Sequence, residues 1–183
     1  MLVADHGQTQ VDRSARLEAP LASLEGQIVV TASNRAGQVY LRPRARVDAA
    51  GVAALLDGEP SVEVSVRLEG DEAVARRDGE ELRFRPAGDG WEMTGDASIL
   101  DHPDAHARVW SALANPNAGE LLVSAAEGWE YTDLGGKHHA GGGSHGSLVA
   151  GDSFVPVLTI GVDAEIERIT DITPAAIAHF DAV

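Results

Sequence analysis

Cysteine is absent from the chain, and aromatic residues make up only 4% of its 183 residues. Disulfides and thiolate metal ligands are therefore excluded, and the core must be built from aliphatic side chains. No apolar run approaches the roughly 20 residues that a helix needs to cross a bilayer. The first residues also lack the charged and apolar pattern typical of a signal peptide. We therefore expect no membrane partner, and the sequence leaves the compartment open.

Basic residues are scarce, since 14 Lys and Arg oppose 29 Asp and Glu, for a formal net charge of −15 at pH 7. Such a charge repels polyanions, which argues against nucleic acid polymers and anionic membranes as partners. A bound cation can reverse the field locally, so a small phosphate substrate is still allowed. Hydrophobic residues make up 44% of the chain, which is enough for one domain with a packed core.

Short β-rich runs joined by turn residues dominate the first half of the chain. Residues 28–31 and 38–41 flank the turn-like stretch SNRAG and predict a hairpin, and RDGE predicts another. The run SVEVSVRL alternates with period two, which is typical of a half-buried strand. We therefore expect a small antiparallel subdomain over about residues 20–95.

Apolar runs near both ends of the chain predict buried strands. They are residues 1–4, GELLVSA and PVLTIGV, and the segment ITDITPAAIAHF predicts a final helix with Thr173 as its N-cap. Apolar spacing predicts two further short helices, over 47–56 and 106–114. Together these elements predict an α/β fold, in which a mostly parallel sheet with flanking helices carries the small antiparallel β insertion.

Asp5 and His6 directly follow the first apolar run. Open α/β sheets place ligand groups at the carboxyl ends of their strands. A carboxylate oxygen and an imidazole nitrogen suit zinc, manganese or iron, and Gly7 would let the chain turn at once. The pair therefore indicates either a metal site or an ordinary hydrogen-bonded turn.

The segment LGGKHHAGGGSHGS contains six glycines and three histidines in fourteen residues. Its composition predicts a loop. Glycine lets the backbone approach a metal ion or a phosphate closely, while histidine supplies the ligand, so the segment indicates either metal binding or a flexible surface loop. His102 and His106 have helical spacing, but Pro103 makes one helix through both unfavourable, and we expect a helix-capping turn at 101–104.

Several stretches together resemble the alkaline phosphatase superfamily: LVADHGQT, SNRAGQVYL, GELLVSAAEGWEYTDLGGKHHAGGGSHGS, and the ending PVLTIGV…ITDITPAAIAHF. Within it, the chain is most similar to the type I phosphodiesterase/nucleotide pyrophosphatase branch, and the likeness runs from end to end. The resemblance implies that residues 1–183 are the C-terminal part of a phosphodiesterase or phosphatase catalytic domain.

The resemblance also implies two divalent metal ions, zinc or manganese, that bridge a Thr or Ser nucleophile and the phosphoryl group of the substrate. Asp5 and His6 match the pair that holds the ion next to the nucleophile, and His145 matches a ligand of the other ion. His138 and His139 match no family ligand, and we assign them to substrate contact or to support of the metal ligands.

In the family, the nucleophile and the remaining metal ligands precede the Asp-His-Gly strand. The resemblance therefore implies that the N-terminal half of the fold lies outside this chain, which alone should be inactive. Unpaired sheet edges would then favour association with a second copy. Two alternatives remain open: a non-catalytic binding or assembly domain that keeps the scaffold, and a phosphomonoesterase or cofactor-independent phosphoglycerate mutase relative.

Overall fold

A seven-stranded antiparallel sheet is the largest element of the computed structural model, which describes residues 1–162 and 164–181. Short helices and two smaller sheets surround it. Within the described residues, the strands are β1 (Leu2–Val3), β2 (Thr9–Ala15), β3 (Ile28–Ser33), β4 (Ala36–Leu41), β5 (Val62–Glu69), β6 (Glu72–Arg77), β7 (Glu80–Ala87), β8 (Gly90–Gly95), β9 (Leu121–Ala125), β10 (Gly128–Tyr131), β11 (Gly142–Ser144) and β12 (Val157–Leu158). The α-helices are α1 (Ala49–Leu56), α2 (Ala105–Leu113), α3 (Ala150–Ser153) and α4 (Ile172–Asp181).

The large sheet has the strand order β3-β4-β9-β5-β6-β7-β8. Its outer hairpins are made by local turns. Asp78 and Gly79 both have positive φ (51° and 86°), the conformation that the tight turn between β6 and β7 requires. Strand β9 comes from much later in the chain and pairs antiparallel with both β4 and β5. The two predicted hairpins are therefore confirmed, and β9 joins them into one sheet.

Two apolar clusters form the core. One joins α1 and the 17–24 segment to β4 and β9, and includes Leu17, Leu56 and Val123. The other joins α2 and the 3-10 turn Ala97–Leu100 to β5, β6 and β7. Strand β5 contacts both helices and is buried at four successive positions. The prediction of a strand over SVEVSVRL is confirmed, but the strand is more deeply buried than its half-buried pattern indicated.

Two small sheets lie outside the large one. Strand β2 pairs in parallel with β10 and antiparallel with β11, and β1 pairs antiparallel with β12. An isolated bridge between Asn34 and Tyr131 links the three-stranded sheet to the hairpin of β3 and β4. This link brings the β3–β4 turn next to the glycine-rich segment.

The predicted fold class, a mostly parallel sheet with flanking helices and a small antiparallel insertion, is wrong. Among the described strands, the parallel pairing is confined to β2 and β10. An apolar run has no feature that distinguishes a parallel from an antiparallel partner, and GELLVSA became the antiparallel strand β9. The runs at 1–4 and PVLTIGV were predicted to be buried strands. Each forms a strand of only two residues, β1 and β12, whose side chains are half-buried or exposed.

The remaining elements follow the sequence more closely, with some differences. Helices α1, α2 and α4 lie where helices were predicted, although α4 begins at Ile172, before the predicted cap Thr173. The glycine-rich segment was predicted to be a loop but contains β11, because Gly142–Ser144 pairs with β2. Strands β2 and β8 and the short helix α3 were not predicted.

Large apolar side chains are exposed around β1, β12 and α4, including Leu2, Phe154, Leu158, Ile160 and Phe180. None of the residues of α4 is buried. Over the described part of the chain, no helix is both long and apolar enough to span a membrane.

Candidate functional site

The imidazole rings of His6 and His145 stack on each other. Their centroids are 3.5 Å apart, with an angle of 10° between the ring planes. His6 lies between β1 and β2, and His145 directly follows β11, which pairs with β2. The pairing of β2 with β11 therefore brings together the Asp-His-Gly and Ser-His-Gly sequences, which lie near opposite ends of the chain.

His6 has one ring nitrogen engaged and one available. Its Nδ1 lies 2.7 Å from the carbonyl oxygen of Gly7. With that carbonyl as acceptor, Nδ1 is the donor, so in a neutral ring the lone pair lies on Nε2. The carboxylate of Asp5 lies beside Nε2, with Oδ2 at 3.6 Å, and is largely exposed. Metal-binding histidines commonly donate their other N–H to a backbone carbonyl in this way.

His145 is held by the turn between β3 and β4. The backbone N–H of Arg35 donates to the carbonyl oxygen of His145 at 2.9 Å. The side-chain amide Nδ2 of Asn34 lies 3.2 Å from His145 Nε2. Asn34 adopts a positive φ of 53°, which asparagine tolerates better than most residues. The SNRAG turn thus contacts both the backbone and the ring of His145.

A buried ion pair contacts the segments that carry the two histidines. Arg35 Nη1 donates to both carboxylate oxygens of Asp152, at 3.0 Å each, and both side chains are fully buried. The guanidinium also donates to Thr9 Oγ1 and to the carbonyl oxygens of Trp129 and Ala126. Its donors are therefore shared among three separate chain segments.

Asp152 accepts hydrogen bonds from the segments that follow both histidines. Thr9 Oγ1 donates to Oδ1 at 2.6 Å, and Ser147 donates to Oδ2 through its backbone N–H at 2.9 Å and its hydroxyl at 2.7 Å. Burial raises the pKa of the Asp152 carboxyl, but these hydrogen bonds and the charge of Arg35 outweigh burial and bring its pKa below the ordinary aspartate value.

At two positions of this site, the structure requires glycine. A Cβ on Gly7 would lie 2.0 Å from the carbonyl oxygen of Gly151, so only glycine lets the His6 loop pack against α3. The N–H of Gly7 also donates to the carbonyl oxygen of Asp152 at 2.9 Å. Gly146 has a φ of 106°, a conformation that disfavours any residue with a side chain.

The described residues contain no group of three or more His, Cys, Asp or Glu side chains arranged to hold one metal ion. The donors at the stacked histidines are chemically suited to zinc or manganese, since they are one carboxylate and two imidazoles. Asp5 and His6 could share an ion, and His145 could contribute to a second one. The described residues thus supply donors of suitable types at this place, but fewer than one metal ion needs.

His138 and His139 lie away from this pair. His138 is exposed. The backbone N–H of His139 donates to Oε1 of the fully buried Glu130, and its ring Nδ1 lies 3.1 Å from Oε2. Among the described residues, neither histidine has a hydrogen bond or a ring contact with His6 or His145. His139 therefore connects the glycine-rich segment to β10.

The other histidines are on separate elements. His102 lies outside α2, with Nε2 2.9 Å from Glu63 Oε1, whereas His106 lies within α2 and packs edge-on against Phe84. Burial lowers the pKa of His106 below the ordinary histidine value. His179 contacts only the neighbouring ring of Phe180 among the described aromatic contacts.

A groove of about 530 Å³ opens beside His6, whereas His145 is not among its lining residues. Its lining includes Asp5, His6, Arg108 and Ser147, together with apolar residues of the segment after α3. A larger groove of about 1090 Å³ lies between Leu21, Ile28 and Leu134, and neither His6 nor His145 lines it. The smaller groove is therefore the one that could present a ligand to the candidate site.

The sequence did not point to Thr9, Asn34, Arg35 or Asp152. The stretch SNRAG predicts only a turn, and Asp152 follows a glycine-rich stretch as a single acidic residue. The partners of the ion pair are 117 positions apart, so neither periodicity nor spacing could connect them. The one available signal was a charged residue at a turn between two apolar strands.

No family model matches the chain, and no curated protein or solved structure matches it either.

Proposed function

We propose that this chain is the C-terminal portion of a metal-dependent phosphodiesterase or nucleotide pyrophosphatase. The enzyme would hydrolyse phosphate esters through a Thr or Ser nucleophile located upstream of residue 1. The observation that carries the proposal is the stacking of His6 on His145. The resemblance assigns the Asp-His-Gly and Ser-His-Gly sequences to two neighbouring metal sites. The two sequences lie in contact, although neither contains a local signal that requires this contact.

The residues have separate roles in this proposal. Asp5 and His6 hold the ion next to the nucleophile, and His145 is a ligand of the other ion. When bound, two zinc or manganese ions would polarise the phosphoryl oxygens and stabilise charge on the attacking and leaving oxygens. The Gly7 carbonyl keeps the proton of His6 on Nδ1, which leaves Nε2 free as a ligand.

The expected substrate is a small phosphate ester or a nucleotide. The net charge of −15 repels a polyanion such as nucleic acid. The groove beside His6 has the volume of a small-molecule site, and Arg108 adds a cationic side chain to its lining. The residues that bind the ester group on the other side of the phosphorus would lie in the upstream part.

Hydrolysis of bis-p-nitrophenyl phosphate with added zinc or manganese tests this proposal, on the present chain and on the protein encoded together with the preceding sequence. We expect activity only in the longer protein, and its loss in His145→Ala. His179→Ala is the matched control and should keep full activity, because the described ring contact of His179 is with Phe180 and His179 does not line the groove beside His6. Unchanged activity in folded His145→Ala would refute the role of His145.

The same assay separates two related enzymes. Faster hydrolysis of p-nitrophenyl phosphate than of the diester would indicate a phosphomonoesterase. A complete lack of hydrolysis of either compound by the longer protein would refute both enzymatic proposals.

One observation favours a second candidate, a non-catalytic assembly domain. Apolar side chains are exposed on β1, β12 and α4, and exposed patches of this kind mark interaction surfaces. Such a domain would associate with a second copy without added metal. Sedimentation at micromolar concentration distinguishes the candidates, because a clean monomer argues against assembly as the function of this chain.

A further inference from the structure

We propose that Arg35 and Asp152 are positioning residues, whose buried ion pair holds the His6 loop and the His145 loop against each other. The importance of this pair for metal binding rests on the proposed function, but its positioning role is a property of the present chain.

Asp152 is the shared acceptor of both histidine loops. Its Oδ1 accepts from Thr9, three residues after His6, and its Oδ2 accepts from Ser147, two residues after His145. Its carbonyl oxygen accepts from the N–H of Gly7. The two loops are therefore bonded to one residue, and their spacing follows from the width of one carboxylate.

Arg35 neutralises that carboxylate and adds a third loop. Its side chain donates to Asp152 and also to Trp129 and Ala126 at the start of β10, while its backbone N–H donates to His145. A guanidinium carries five N–H donors in a fixed planar arrangement. A lysine would keep the charge but could not reach these acceptors together.

The ion pair positions the histidine loops, whereas the large sheet is stabilised by the two apolar clusters. Neither Arg35 nor Asp152 belongs to either apolar cluster. The side-chain hydrogen bonds of the pair run to the segments next to His6, His145 and Trp129, and the contact with the large sheet is made by the backbone, where the carbonyl oxygen of Arg35 accepts from the N–H of Ala125 on β9. Loss of the pair should therefore separate the histidine rings while the sheet stays folded.

The test is NMR on the metal-free chain with isotope-labelled histidine. The wild-type chain should give a nuclear Overhauser cross-peak between the ring protons of His6 and His145. We expect Arg35→Lys and Asp152→Asn to lose this cross-peak, while amide signals of β5 and β6 keep their positions. The second readout distinguishes displaced loops from general unfolding.

Asp57→Asn is the matched control. Asp57 forms an ion pair with Arg76 at 2.8 Å, and both side chains are mostly buried, but neither contacts a histidine loop among the described hydrogen bonds. This variant should keep the ring cross-peak. Loss of the cross-peak in folded Asp57→Asn would overturn the proposal, because any buried ion pair would then have the same effect.

The double variant Thr9→Val/Ser147→Ala decides the case if both main variants unfold. It removes the hydroxyl donors of both histidine loops to the Asp152 carboxylate and leaves the two buried charges paired. A weaker ring cross-peak in this variant supports the proposal, and an unchanged cross-peak overturns it. A cross-peak of wild-type intensity in folded Arg35→Lys or Asp152→Asn also overturns it.

This experiment contains no metal and no phosphate ester, so its failure is distinct from failure of the proposed function. If the Arg35 and Asp152 variants lose the ring cross-peak but the longer protein hydrolyses no phosphate ester, the positioning role stands and the proposed function is refuted. If the longer protein is active but these variants keep the cross-peak, the proposed function stands and the positioning role is refuted.

Discussion

The large sheet and the motif region, defined as residues 5–15, 34–35 and 126–153, are stabilised in different ways. In the sheet, two apolar clusters cover successive antiparallel strands, and four of its six strand pairings join neighbours in the chain. In the motif region, a buried Arg–Asp pair and its hydrogen bonds join segments 26 to 143 positions apart. The comparison indicates that the histidines depend on a few long-range polar contacts.

The two kinds of stabilisation respond differently to substitution. Apolar burial is the sum of many small contacts, so removing one methyl group costs only part of it. A buried ion pair is different, because removing one partner leaves an unpaired charge in a medium of low dielectric constant. The motif region should therefore be the more sensitive region to single polar substitutions.

Arg35→Met has the largest expected effect. It leaves the buried Asp152 carboxylate without its cation, and should lower the free energy of unfolding by about 3–5 kcal/mol. Urea denaturation followed by circular dichroism measures this change. A loss below about 1 kcal/mol would mean that the Arg35–Asp152 pair behaves like a surface pair, and would remove the contrast between the two regions.

Tyr131→Phe should lower the free energy of unfolding by a smaller amount, because it removes one hydrogen bond between the motif region and the large sheet. Tyr131 lies on β10, and its buried hydroxyl donates to the carbonyl oxygen of Ser61 at 3.1 Å, next to β5. Burial raises the pKa of this hydroxyl, so it stays protonated. Loss of one buried hydrogen bond should cost about 1–2 kcal/mol in the same denaturation assay, and no loss would mean that this contact does not couple the regions.

The pH dependence of stability should separate the regions. The folded pKa of His106 lies below 6.5 because of burial, so below pH 6.5 the unfolded chain binds its proton first and the free energy of unfolding falls. The folded pKa of Asp152 lies below 3.8, so its contribution is complete above pH 3.8 and is lost only as the pH falls through that lower value.

His106→Phe tests this pH dependence. Phenylalanine can keep the packing against Phe84 and Trp91, and it removes the titrating group. Denaturation from neutral pH down to about pH 4 should show a smaller fall in stability than in the wild-type chain. An identical fall would assign the sensitivity in this range to another group.

Arg16→Met has the smallest expected effect. Arg16 pairs with Glu18 at 2.6 Å, but its side chain is 73% exposed. Exposed ion pairs contribute little, so the free energy of unfolding should change by about 0.5 kcal/mol or less. A loss comparable with that of Arg35→Met would show that burial does not explain the difference between these two arginines.

The large sheet was predictable where its signals are local. Asp78-Gly79 and the alternating run in β5 each encode their conformation within a few residues, and both were predicted correctly. The position of β9 was not, because pairing with β4 and β5 depends on residues far away in the chain. The fold class was therefore wrong although most of its strands were predicted.

The candidate site was predictable only in its residue types. Asp5, His6 and His145 were selected from their motifs, and the resemblance linked them. The residues that hold them, Arg35 and Asp152, carried no local signal, because their role exists only after the chain has brought both together. The contact of His138 and His139 with substrate, or their support of the metal ligands, stays a prediction.

The most direct test of the account is the paramagnetic effect of Mn²⁺ on the NMR spectrum of this chain. Line broadening reports ions that bind weakly, as expected where only part of a ligand set is present. The account predicts that substoichiometric Mn²⁺ broadens the signals of Asp5, His6 and His145 first. Broadening confined to His138, His139 or surface acidic residues, with His6 and His145 still sharp, would contradict it.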